Sequence, residues 1–131
     1  MGGPFLNVPT AENVPTVLLY SFTPREQGDF ETMLRGFPGI RMIAVPEQAY
    51  GLSIEDVLTK PLPAADASAG FSRHMLVFAH IPDPVVQPII AICKKVTPEK
   101  VLKAMLTETN QNWSSQTLYQ NLLEEEAQLG G

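Results

Sequence analysis

The apolar pattern of this chain is written twice. An offset of 59 positions lays Val17-Leu18-Leu19 on Leu76-Val77-Phe78, and Phe30, Met33 and Leu34 on Ile89, Ile92 and Cys93. An offset of 61 then lays Ile40 on Val101, Ile43-Ala44-Val45 on Ala104-Met105-Leu106, Leu52 on Trp113, Ser53 on Ser114, and Val57-Leu58 on Leu118-Tyr119. Identity between the copies is low, and any two α/β units share part of such a template, so it is the fixed spacing of apolar and capping residues that constrains the fold. The reading is an α/β domain built from an internally duplicated β-α-β-α unit. Its four-stranded sheet carries packed helices, and an approximate twofold relates repeat one (about 15–59) to repeat two (about 74–126) across a linker at about 60–72. The competing arrangement is a ferredoxin-like α+β sandwich in which the helix at 53–59 is an insertion.

Local signals place the elements. Val17-Leu-Leu-Tyr-Ser-Phe22 is a continuous apolar run of strand length, as expected for a strand covered on both faces. Thr23-Pro24-Arg25-Glu26 reads as a helix start, with Thr as N-cap, Pro at the first helical position and Glu three residues after the cap. Phe30, Met33, Leu34 and Phe37 follow at helical spacing as the expected buried stripe, and Pro38-Gly39 ends it. Ile40–Val45 is the second strand, and Ser53 caps a short helix to about Thr59. In the second copy His74–Ala79 is a strand and Asp83-Pro84 opens a helix. Pro88 lies inside that helical pattern and predicts a kink or a late start. Thr97–Thr107 suits a helix or a strand by itself, and the repeat alignment selects a strand at about 101–107. Ser114 caps the last helix, whose buried face is Leu118, Tyr119, Leu122 and Leu123. Glu124-Glu125-Glu126 oppose the helix dipole, so this end is expected to fray.

Composition excludes several classes. At 131 residues the chain is one domain, large enough to build a core without a metal or a disulfide. Its single cysteine, Cys93, cannot form an internal bridge, which fits a reducing cytoplasm. No segment approaches the roughly 18 consecutive apolar residues of a membrane span, and Met1–Leu6 lacks the pattern of a signal peptide. Position 6 is Leu rather than the Ser or Thr of a myristoylation signal. A net charge of −5 with scattered Lys and Arg argues against a nucleic-acid binder, because neutralising phosphates requires clustered cations. A cytoplasmic protein without membrane or nucleic-acid partners is expected.

The second copy carries a local signature. Leu102-Lys-Ala-Met-Leu-Thr-Glu-Thr-Asn-Gln-Asn-Trp113, continuing through Ser114 to Glu126, resembles a bacterial family known as domain of unknown function 3783. There a Lys-Ala-hydrophobic-Thr strand end leads through an Asn to a Trp that opens the final helix. The resemblance covers about residues 74–126, with Thr107, Asn110 and Trp113 as its most specific part. It implies the strand at 101–107 and names no activity. The first copy has Pro46, Gln48 or Ala49, and Leu52 at the matching positions, so a site built on that signature would occur once.

The candidate chemistry is sparse. Trp113 reads either as a ligand platform or as a hydrophobic staple ahead of the Ser114 cap, and the staple is preferred. Asn110 and Asn112 read as ligand amides or as turn residues bonding nearby backbone. His74 and His80 share a strand, with Asp83 and Cys93 as further candidate ligands, but no recognised metal spacing is present and no metal or other cofactor is expected. Cys93 and His80 form a formal nucleophile and base pair, against the commoner reading of a lone helical cysteine as core. No phosphate loop or nucleophile elbow occurs. If all four strands were parallel, the loops after them would converge at one edge, gathering Ser21, Thr23, Glu47, Tyr50, His80, Asp83, Glu108, Asn110 and Asn112. Tyr50 and Asn110 lead that set as ligand contacts. Two functions follow. The preferred one is a non-enzymatic binding or regulatory module with a protein or small-molecule partner, or a second copy in a homodimer. The alternative is a small enzyme or metabolite sensor using the strand ends.

Overall fold

A computed structural model describes residues 14–62 and 70–130. Among the described residues four strands and four helices alternate: β1 Thr16–Tyr20, α1 Pro24–Leu34, β2 Arg41–Ala44, α2 Ile54–Thr59, β3 Met75–Ala79, α3 Asp83–Val96, β4 Leu102–Met105 and α4 Ser115–Gly130. Single 3-10 turns, Glu47–Ala49 and Asn110–Asn112, precede α2 and α4. The sheet order is β2-β1-β3-β4. Each edge strand runs parallel to its inner neighbour, whereas β1 and β3 are antiparallel. In the ferredoxin-like alternative another strand would separate the two strands joined by a crossover helix. Here β1 and β2 are hydrogen-bonded neighbours, which excludes it.

Pairing registers coincide with the sequence offsets. Leu18 pairs with Val77, the residue an offset of 59 assigns to it, and the same offset exchanges the pairs Val17–Phe78 and Leu19–Leu76. On the flanks, Thr16–Arg41 corresponds to Met75–Leu102, and Leu19–Ala44 to Phe78–Met105. Loop bonds follow suit. The Val45 N–H donates to Leu19 O at 2.9 Å and the Leu106 N–H to Phe78 O at 2.8 Å, while Ser53 and Ser114, each capping its own helix, meet in an antiparallel bridge.

Burial explains the apolar runs. β1 and β3 are buried on both faces, and side-chain alternation sends Leu18, Tyr20, Met75, Val77 and Ala79 towards α2 and α4, and Val17, Leu19, Leu76 and Phe78 towards α1 and α3. The result is a three-layer sandwich with one core on each side of the sheet. Helix α1 starts with the expected capping box: Thr23 Oγ1 accepts the Glu26 N–H, and Glu26 Oε1 accepts the Thr23 N–H at 2.9 Å.

Three expectations need correction. Met33 is exposed, because α1 turns only Phe30 and Leu34 fully inward. Helix α3 starts at Asp83 with Pro88 inside, so there is no late start; burial of Ile89, Ile92 and Cys93 holds the helix across the missing donor. Helix α4 runs to Gly130, and Glu126 is held there by Arg73 and Lys100, opposite charges that offset its unfavourable place in the dipole. The linker, of which 63–69 lies outside the described residues, returns to the core at its end. Phe71 stacks on Tyr119 with ring centroids 3.9 Å apart and on Tyr50 at 4.3 Å. Gly70 has φ +117°, and a Cβ there would lie 2.6 Å from the Tyr50 ring, so both conformation and space demand glycine.

Candidate functional site

Antiparallel pairing of β1 with β3 removes the single edge on which the expected site depended. β1 and β2 end at one end of the sheet, β3 and β4 at the other. Ser21, Thr23, Glu47 and Tyr50 therefore follow strands that end opposite those preceding His80, Asp83, Glu108, Asn110 and Asn112. The continuous apolar runs correctly report double-sided burial, but burial does not encode strand direction.

Residue by residue, the strongest candidates are occupied by the fold. The Asn110 side chain accepts the Thr107 N–H at 2.8 Å and donates to Met105 O at 3.0 Å, while Thr107 Oγ1 accepts the Asn110 N–H. The Thr107–Asn110 part of the signature is thus a turn lock that reverses the chain after β4. Trp113 is half-buried against the α2/α4 core, and its carbonyl accepts the Ile54 N–H at 2.9 Å. Its free face, with Gln116, Thr117, Gln120, Asn121 and Glu124, borders a shallow surface groove. The Tyr50 ring is buried in the aromatic stack and its hydroxyl lies 3.3 Å from Ser21 Oγ. Burial pushes the Tyr50 hydroxyl above its ordinary range. Glu47, His80, Asp83, Glu108 and Asn112 are exposed.

A polar node that local sequence patterns do not reveal lies on the other face. Glu26 Oε1, besides closing the capping box, lies 2.8 Å from His74 Nε2, with both side chains largely shielded from solvent. Thr97, at the end of α3, also faces the Glu26 carboxylate, and Phe22 packs edge-on to the imidazole at 4.7 Å. Burial would raise the Glu26 carboxyl, but the Thr23 N–H, His74 and the Thr97 hydroxyl favour its charged form, outweigh burial and hold the group below its ordinary value. One carboxylate thereby ties together the start of α1, the start of β3 and the end of α3. The sequence signal, Thr23-x-x-Glu26, announces only the local half of this role; His74 and Thr97 are distant in the chain.

Beside the node, Cys93, Lys94, Thr97, Lys100, Val101 and Lys103 border a cleft of about 290 Å³. Cys93 is buried and free, and burial pushes its thiol above the ordinary range, which disfavours the nucleophilic thiolate. His80, the base the sequence offers it, sits beyond the far end of β3 in a left-handed turn, φ 59°, and is exposed. A second buried polar contact joins Tyr20 to Ser115 at 2.8 Å, pinning α4 to β1.

The fold and its polar nodes define a three-layer α/β domain in which paired edge strands flank an antiparallel centre. Within it, residues 74–129 match the family described as Domain of unknown function (DUF3783), the segment that begins just before β3 and includes the Thr107–Trp113 signature. No curated protein matches the chain. No solved structure matches it. Among the described residues no helix is long and apolar enough to cross a membrane.

Proposed function

We propose that this protein is a non-enzymatic binding or regulatory module of the bacterial cytosol, assembled from two copies of one β-α-β-α unit. The carrying observation is that the polar side chains best suited to chemistry are spent on the fold itself. Asn110 locks a turn, Tyr50 closes an aromatic stack, and Glu26 and His74 hold three elements together. A general base or nucleophile has to reach substrate with its reactive atom, and these atoms already have internal partners. Coincidence of the pairing registers with the sequence offsets supports the two-copy origin, and a buried free cysteine accords with a reducing compartment. Native mass spectrometry of the purified protein tests the functional reading. The expected spectrum contains polypeptide alone; a stoichiometric small-molecule adduct would overturn it in favour of a metabolite sensor or enzyme.

A further inference from the structure

The two edges of the sheet differ in the helix that runs beside them. At β2 the Arg41 guanidinium folds back, its Nη2 donating to Leu58 O at 3.0 Å and its Nε to Thr16 Oγ1 at 3.3 Å, so the charged head is committed within its own half. At β4 the inward bonds are made by Leu102 N–H to His74 O and by Leu106 N–H to Phe78 O. Alternation along a strand then turns the N–H and C=O groups of Lys103 and Met105 outward, away from β3. Alongside runs the second half of α4, which has no counterpart in α2: the offset of 61 carries Thr59, the last residue of α2, only to Gln120. Between this overhang and the strand lies a groove of about 370 Å³ bordered by Leu102, Lys103, Leu122, Glu125, Glu126 and Leu129. Leu129 is 88% exposed, leaving apolar surface uncovered at the rim.

We propose that this edge is a homodimer interface, with β4 pairing antiparallel to β4 of a second copy and each α4 overhang covering the other's groove. Charge complementarity selects a second copy as the occupant. Glu126 is neutralised within the chain by Arg73 and Lys100, whereas among the described residues neither Glu125 nor Lys103, whose Nζ donates only to Val101 O at 3.1 Å, has an ion-pair partner. A twofold interface repeats every contact, so one Lys103–Glu125 pairing across the axis entails the reciprocal one, and the groove becomes complementary to itself. Strand addition would satisfy the outward Lys103 and Met105 backbone groups, and Leu129 would gain apolar cover. An interface of this kind uses the same patch on both copies and so closes at two. This interface is independent of the binding-module reading, and a monomer would leave that reading standing.

Sedimentation equilibrium of the full chain across a dilution series tests the interface, with circular dichroism verifying each variant's fold. The wild type is expected to be a dimer that dissociates on dilution. Lys103→Glu places like charges across the axis and should weaken it roughly tenfold or more, with Leu129→Asp doing at least as much. The double swap Lys103→Glu/Glu125→Lys should restore most of the affinity, which distinguishes a specific pairing from general loss of solubility. A wild type that stays monomeric at several hundred micromolar would overturn the proposal. So would a dimer indifferent to both single changes, or one the double swap fails to restore.

Discussion

The two halves of the molecule share an order of elements and a pairing register and differ in chemistry. Ser21 and His80, related by the offset of 59, both turn left-handed after their strands, at φ 67° and 59°. Yet Ser21 accepts the Phe71 N–H through Oγ at 2.9 Å and lies against the Tyr50 hydroxyl, whereas His80 is exposed. The buried Tyr20–Ser115 hydrogen bond has Ala79 and Ile54 at its equivalent positions, both fully buried and apolar. Where Glu26 gathers His74 and Thr97, the offsets supply Val85, Pro15 and Pro38. Pairing register and capping thus tolerate wholesale exchange of polar for apolar partners, provided each buried polar group keeps a mate.

The Tyr20–Ser115 contact offers the largest test of this comparison. Tyr20→Phe leaves a buried hydroxyl on Ser115 without its partner and should cost about 1–3 kcal/mol in urea unfolding. Adding Ser115→Ala should cost little more, because the pair then resembles its apolar counterpart Ala79–Ile54. Full additivity of the two changes would show that the sites are not energetically equivalent frames.

The left-handed turns give a smaller and oppositely signed pair of effects. His80→Gly removes a Cβ from a conformation that costs a non-glycine residue about 1–2 kcal/mol, offset in part by glycine's greater entropy when unfolded. It should leave the melting temperature unchanged or slightly raised. Ser21→Gly gains the same relief but loses the bonds to Phe71 and Tyr50, and should lower it. Equal shifts in the two variants would break the distinction between them.

The smallest effect is in the acid slope of stability. Glu26 has a folded-state pKa below its ordinary value, so the unfolded chain binds its proton more readily. Its contribution is therefore present above the ordinary glutamate range and is lost as pH falls through that range towards the folded value. Glu26→Gln keeps a side chain able to close the capping box and should flatten this part of the slope while leaving the rest of the curve in place. An unchanged slope would show that the node is electrostatically inert.

Much of this was legible locally. The Thr23–Glu26 capping box and the Ser53 and Ser114 caps appear where spacing places them, because capping acts over a few residues, whereas the strand at Leu102–Met105 is selected only by comparison with the first half. The repeat offsets carry the β1–β2 register onto the β3–β4 register. Of the candidate site, the sequence supplied the residues but not their company: Asn110 was read both as a turn residue and as a ligand contact, and its bonds to Thr107 and Met105 are those of the turn. The sequence groups His74 with His80 along one strand, whereas its partner in the fold is Glu26.

The sequence by itself determined the elements, their caps and the twofold spacing of the apolar template, since these depend on periodicity and on bonds between near neighbours. Tertiary structure alone decided that β1 and β3 run antiparallel, which separates the strand ends that a parallel sheet would have gathered. It also decided that Glu26 meets His74 and Thr97, that Tyr20 meets Ser115, and that the overhang of α4 leaves a groove beside the open edge of β4. The reason is the same in each case. An apolar run is buried equally well in either strand direction, and a buried polar group needs a partner without specifying where in the chain that partner lies.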